Sequence, residues 1–230
     1  MFQKSSQEHY NQLYNLQDEV LRIAEKTSFY LTGGTALSRF YLNHRYSDDP
    51  VFFTNDSASY RKQADIFLKE LKNSYEMRTA VITDSFAQVF VSSGGIDLKI
   101  DTVLDVPYRA ETPAAFPGFS RVDSLKNILS NKICALSRQA AKDVADIVFI
   151  CRRLDFAWDE IIGYAMKKEI LEELYVMDLL RTFPVEELKT IKWISEPDFG
   201  IFEQNIKQIV RDIASKSVNS LYAPGTEGNA

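Results

Sequence analysis

Cysteine is scarce in this chain of 230 residues. Cys134 and Cys151 are its only two, and they lack the spacing of metal ligands, which argues against a disulfide framework or a zinc site. Long apolar runs are missing as well. Ile147-Val148-Phe149-Ile150-Cys151 is cut off by Arg152 and Arg153, far short of the about 18 residues that a bilayer span needs. The polar start MFQKSSQEHY has no apolar centre of a signal peptide, so a cytoplasmic location and no membrane partner are expected. No internal repeat is evident, and no Gly-Lys-Ser/Thr follows the chain's Gly-Gly turn, which excludes a P-loop.

What is present is an ordinary globular composition, 45% hydrophobic and 26% charged. The length suffices for one large domain or two small ones with a real core. A net charge of −5 argues against a passive nucleic-acid coat. The charge is uneven, however: residues 121–153 hold seven basic and three acidic side chains. Such a local basic zone suits a polyphosphate or an RNA end better than a long duplex, although a solvated helix face has the same composition.

In chain order, residues 5–26 read as an amphipathic helix, with Ser5 and Glu8 at capping-box spacing. A short strand at 28–31 leads into Gly33-Gly34, and a helix at 35–42 follows. A strand at 50–53 and a helix at 57–75 come next. Strands are then expected at 77–82, 86–91 and 96–104, with Ser92-Ser93-Gly94-Gly95 as a hairpin. The last of these alternates strictly: Ile96, Leu98, Ile100 and Thr102 take one face, and Asp97, Lys99 and Asp101 the other. Three charges on one strand face must meet solvent, partners or a ligand. Residues beyond 122 read as helical, beginning with a helix capped by Asp123 and another at 141–153, then weaker ones at 158–168, 169–182, 185–193 and 198–216. The expectation is an α+β fold: an α+β domain at 1–106, a Pro-rich connection at 107–122, a helical domain at 123–220 and a frayed tail at 221–230.

A strand, a Gly-Gly turn and a helix start can cradle a phosphate, because glycine lets backbone N–H groups approach an anion closely. By itself Gly33-Gly34-Thr35 also reads as a plain loop. Asp49, about fifteen residues on, sits where it would hold a metal against a phosphate in that turn. Asp101 on a nearby strand would be a second carboxylate, able to ligate the metal or to take a proton from an attacking hydroxyl. The plainer readings are a turn residue before Pro50 for Asp49 and a solvent-facing position for Asp101.

Gly33-Gly34-Thr35-Ala36-Leu37, followed by His44-Arg45-Tyr46-Ser47-Asp48-Asp49-Pro50-Val51-Phe52-Phe53, resembles the AbiEii/AbiGii-type nucleotidyltransferase toxins. Lys132, Arg138 and the Lys142-Asp143-x-x-Asp146 segment look like that family's helical motifs. The resemblance implies a polymerase-β-like nucleotidyltransferase head, a small mixed sheet with helices, joined to a helical C-terminal half. It implies transfer of a nucleoside monophosphate from an NTP to tRNA, another RNA or another acceptor, with Mg²⁺ or Mn²⁺, in the toxin half of a toxin–antitoxin or abortive-infection pair with a cognate antitoxin. By position, Gly33, Gly34, Thr35 and Ser47 would bind the nucleotide, Asp49 and Asp101 would hold metal, and Lys132 would neutralise phosphate charge. Asp143 and Asp146 would order the helical half around the nucleotide.

The chain departs from this pattern at Val51, where the family has its second carboxylate two residues after the first. Valine ligates nothing, and the adjacent Asp48 would face the opposite side of a strand. Loss of a bridging ligand costs on the order of 10³-fold in rate. The alternative is therefore a catalytically impaired relative that binds a nucleotide, an RNA or a protein. His44 reads as a helix C-cap, Arg45 as a partner of Asp48 or Asp97, Phe52 and Phe53 as core, and Trp158 and Trp193 as packing residues.

Overall fold

A computed structural model describes residues 2–223, with the side chains of the first helix described from Gln7 onward. The chain divides into two compact units. The first comprises residues up to Ala36, Tyr46–Pro107 and Thr112–Asp123; the second comprises Leu37–Arg45, Tyr108–Glu111 and the chain from Ser124 onward.

The first unit is built on one mixed sheet of seven strands: β1 (Tyr30–Thr32), β2 (Val51–Thr54), β3 (Glu76–Ile82), β4 (Phe86–Ser93), β5 (Ile96–Leu104), β6 (Ala114–Phe116) and β7 (Phe119–Val122), in the order β3-β4-β5-β2-β1-β7-β6. β2 runs antiparallel to β1 and parallel to β5, so Val51 lies beside Asp101 and Phe52 beside Thr102. The alternation expected for β5 holds: Ile96, Leu98, Ile100 and Thr102 are buried while Asp97, Lys99 and Asp101 take the other face. α1 (Phe2–Ala24) and α3 (Tyr60–Ser74) bury matching stripes, Tyr10, Leu13, Leu16, Val20, Leu21 and Ala24 on the first and Tyr60, Ala64, Phe67 and Leu71 on the second. Phe52 is fully buried between the edges of Phe67 and Phe119.

The second unit is helical: α4 (Leu125–Cys134), α5 (Ala141–Arg153), α6 (Trp158–Met166), α7 (Glu173–Arg181) and α8 (Phe199–Ala214), with 3₁₀ turns at Ala135–Arg138 and Val185–Thr190. α4 packs on α5 and α6, and α7 packs on α8. Trp158 is buried as expected, and Trp193 packs near Phe149 and Phe202 while its indole N–H donates to the Leu188 carbonyl.

Several local expectations need correction. Residues 107–122 are not a plain connection, since β6 and β7 arise there and β7 extends the sheet in parallel with β1 through Leu31 and Val122. Pro113 and Pro117 flank β6, an edge strand on which a missing N–H costs little, and Gly118, at φ +93°, turns the hairpin. Pro117-Gly118 between two phenylalanines was the available signal. The cap of α4 is Ser124, which accepts from the Asn127 N–H; Asp123 is instead buried and accepts from Thr32 Oγ1 at 2.6 Å. The segment 35–42 is an α-turn at Gly33–Ala36 (α2) followed by a π-helical turn at Leu37–Leu42. α1 already begins at Phe2, so Ser5 is inside it rather than at its cap, and the Ser5 side chain lies outside the described residues. Of the tail expected at 221–230, residues 224–230 also lie outside them.

Phe52→Ala should destabilise the protein by about 3–5 kcal/mol, because its aromatic neighbours close only partly over the space it leaves. Urea unfolding measures this, and a loss below about 1 kcal/mol would contradict the packing described.

Candidate active site

In the first unit, β1 stops at Thr32 and Gly33 takes φ +68°, a left-handed conformation that side-chain-bearing residues rarely adopt. A Cβ at Gly33 would meet no atom within 4 Å, so this turn presents bare backbone to open space. Behind it, Thr35 Oγ1 donates to the Asp49 carbonyl at 2.8 Å and lies 3.0 Å from Ser47 Oγ. With the Thr35 proton engaged, the Ser47 hydroxyl is the donor of that second bond.

The loop carrying Asp49 is stitched to α1. Gln17 Nε2, fully buried, donates to the carbonyls of Ser47 and Asp48, and the Ser47 N–H donates to Tyr14 Oη. Tyr10 donates to the Asp48 carboxylate at 2.7 Å and stacks on Tyr46 with ring centres 3.8 Å apart. A buried amide that satisfies two carbonyls fixes the loop, since leaving them unpaired would cost about 1–3 kcal/mol each.

Asp49 and Asp101 then converge on one point, and Lys99 occupies it. Lys99 Nζ is 2.8 Å from Asp49 Oδ2 and 3.6 Å from Asp101 Oδ2. The other Asp101 oxygen accepts from Gln88 Nε2 at 3.0 Å, across the β4–β5 pairing. Partial burial pulls the Lys99 pKa down, but its bonds to Asp49 and the nearby charge of Asp101 more than reverse this and raise it above the ordinary lysine value. The ammonium is therefore charged at neutral pH. Val51, beside Asp101 in the parallel register, adds an apolar side chain to the same face.

This donor set does not fit the pair of divalent ions that the resemblance implies. Mg²⁺ needs oxygens at about 2.0–2.1 Å in near-octahedral array. Here the oxygens are those of two carboxylates already engaged by N–H donors, and the third expected donor is valine. Among the described residues, no group of three His, Cys, Asp or Glu side chains could hold a metal. Asp97 is not a substitute, because it is exposed and bonded by Ser92. Lys99 and Gln88 are the residues that sequence reasoning missed; the alternation of β5, which puts Lys99 on the face of Asp101, was the signal for the first.

The second unit contains a buried ionic cluster. Lys132 Nζ lies 2.7 Å from both Asp143 Oδ1 and Asp146 Oδ2. Arg45 grips both Asp146 oxygens, through Nε at 2.7 Å and Nη2 at 2.8 Å, and the exposed Arg138 binds Asp143. Burial alone would raise the Asp146 pKa, but Lys132, Arg45 and the His44 hydrogen bond hold it well below the usual carboxylate range. Burial lowers the His44 pKa despite Asp146; its Nε2 lies 2.9 Å from Asp146 Oδ1, and its Nδ1 has no hydrogen-bond partner among the described residues. His44 and Arg45 thus serve Asp146 rather than a helix end, Asp48 or Asp97. Asp143 and Asp146 are fully buried within this cluster, and Lys132 is committed to both.

A glycine turn, a sheet with Asp101 on β5 and Asp49 in the loop entering β2, and a helical unit with a buried Lys–Asp–Asp core make an α+β protein of the kind that a nucleotidyltransferase family would have. The model of the family described as nucleotidyl transferase AbiEii toxin, type IV TA system, matches residues 16–199, and the chain belongs to that family. Among solved structures it is similar to JHP933 from Helicobacter pylori, with a TM-score of 0.61 at 18% identity over 90% of this chain and 92% of that one. It is also similar to a candidate nucleotidyltransferase from H. pylori, with a TM-score of 0.59 at 20% identity over 89% and 96%. No curated protein matches. No described helix is long and apolar enough to cross a membrane.

Because it would leave a buried carboxylate without the guanidinium that binds both its oxygens, Arg45→Met should cost about 3–5 kcal/mol of stability. The depressed Asp146 pKa contributes stability that is present above the unfolded carboxylate value and is lost as pH falls through the folded one. The wild type should therefore lose stability below about pH 4 more steeply than Arg45→Met does, and urea unfolding across that range reads both effects.

Proposed function

We propose that this protein transfers a nucleoside monophosphate from an NTP to a hydroxyl of an RNA or another acceptor, as the toxin partner of a cognate antitoxin. The observation that carries this reading is the convergence of Asp49, in the loop that enters β2, and Asp101, on β5, at a single cationic point in the unit that carries the Gly33 turn. The acceptor oxygen attacks the α-phosphorus, the bond to the β-phosphate oxygen breaks, and pyrophosphate leaves with that electron pair. The acceptor proton passes to the Asp101 carboxylate, for which Gln88 fixes the orientation. The backbone at Gly33 and Gly34 faces the triphosphate, Lys99 supplies positive charge to it, and Thr35 and Ser47 hold the loop that carries Asp49. Lys132, Asp143 and Asp146 act in this reading as the rigid core of the helical unit, and the basic surplus of residues 121–153 favours a polyanionic partner.

A second reading is favoured by one specific observation, Val51 in register with Asp101. In it the same site binds a nucleotide or an RNA without turnover.

Calorimetry with the four NTPs tests the nucleotide binding that transfer requires, and absence of heat with every one contradicts transfer and leaves of the second reading only its RNA-binding form. For transfer, the protein is incubated with labelled NTPs and total RNA. Label should reach an acceptor and be lost in Asp49→Ala and Asp101→Ala, while Val51→Asp should raise the rate by about tenfold or more. Binding without any label transfer selects the second reading, and transfer that survives both alanine substitutions means the site lies elsewhere.

A further inference from the structure

Two carboxylates that converge on one point repel each other unless a cation lies between them. In relatives of this fold that cation is expected to be a divalent ion; here the chain carries its own. Lys99 stands two residues before Asp101 on β5, so the pleat projects it from the same face. Its stem spans the register between β5 and the start of β2 and sets the ammonium 2.8 Å from Asp49 and 3.6 Å from Asp101. The side chain is 30% exposed, against 39% for Asp49 and 14% for Asp101, so the three form a partly covered triad rather than a loose surface pair.

Three further features fit a built-in cation. Gln88 donates an N–H to the Asp101 oxygen that Lys99 does not face, so that oxygen too is engaged by a donor. Val51 takes the neighbouring position on the face and offers a metal nothing. The carbonyl of Asp49, a possible oxygen ligand, is occupied by the Thr35 hydroxyl. Asp49 Oδ2 and both Asp101 oxygens thus face donors, and position 51 offers only carbon.

We infer that Lys99 is the resident cation of this site, taking the place of a divalent metal between Asp49 and Asp101, so that the resting site excludes Mg²⁺ and Mn²⁺. Lys99 is a positioning residue in this role: it holds the two carboxylates together and sets the charge they present. An ammonium is a compact point charge with three donors, suited to bridging carboxylates but unable to activate a bound water as a metal does. The inference requires no nucleotide, so it stands or falls separately from the transfer reading.

The test is a Mn²⁺ titration of the full chain without nucleotide, read by electron paramagnetic resonance and by calorimetry. The wild type should show no saturable binding at this site, whereas Lys99→Met should bind Mn²⁺ about tenfold or more tightly, a gain abolished in Lys99→Met with Asp49→Asn. Saturable wild-type binding that Asp49→Asn removes would overturn the inference, as would a folded Lys99→Met that gains none. Circular dichroism melting checks that each variant folds. If Lys99→Met does not fold, Lys99→Gln takes its place, and the wild-type titration decides by itself whether an ion displaces the lysine.

Discussion

The contact on which the nucleotidyltransferase unit depends is the meeting of Lys99 with Asp49 and Asp101. It exists because β2 and β5 are parallel neighbours, which sets the start of one strand beside the middle of the other. The β4–β5 hairpin brings Gln88 to Asp101, and the buried Gln17 of α1 fixes the loop that carries Asp49. Charge then decides the chemistry. Two carboxylates and one ammonium leave a single net negative charge at that point, where two carboxylates and two divalent ions would leave a positive one. A triphosphate is attracted to the second arrangement and only partly accommodated by the first, which is the physical sense in which Val51 and Lys99 bear on activity together.

The helical unit solves a similar problem with the solvent removed. Asp143 and Asp146 are completely buried, and they tolerate this because Lys132, Arg45 and Arg138 surround them and His44 adds a hydrogen bond. Replacing such a cluster by apolar residues need not destabilise a protein, but removing one member does, because a charge is left buried alone. The cluster joins Arg45, at the end of the short segment Leu37–Arg45, to α5 over a sequence separation of 101 residues. It therefore specifies where that segment docks within its unit. The family motif around His44-Arg45 and the one around Lys132, Asp143 and Asp146 belong to a single structural device.

Much of this was legible in the sequence because it is local. The alternation of β5, the Gly94-Gly95 hairpin and the faces of α1 and α3 follow from periodicity and turn chemistry alone. Asp49 and the Gly33 turn were marked as candidates by the motif from Gly33 to Phe53, and Asp101 by its place on the charged face of β5. What escaped was whatever depends on register or on distant partners. Lys99 reads as one charge among three until the β2–β5 register sets it against Asp49. Arg45 has a nearby acidic neighbour in Asp48, yet its partner is Asp146, while Asp48 takes the hydroxyl of Tyr10. The prolines of residues 107–122 suggested a linker because their strand sits at a sheet edge, the one place where proline and pairing are compatible.

The chemistry of this site depends on whether the cation between Asp49 and Asp101 is the lysine or a metal. Crystals of the wild-type protein grown with Mn²⁺ and a non-hydrolysable NTP, and measured at the manganese absorption edge, address this directly. If Lys99 is the resident cation, no anomalous peak should be bonded to both carboxylates, and the Lys99 ammonium should still lie between them. A manganese peak coordinated by Asp49 and Asp101, with Lys99 swung away, would contradict it.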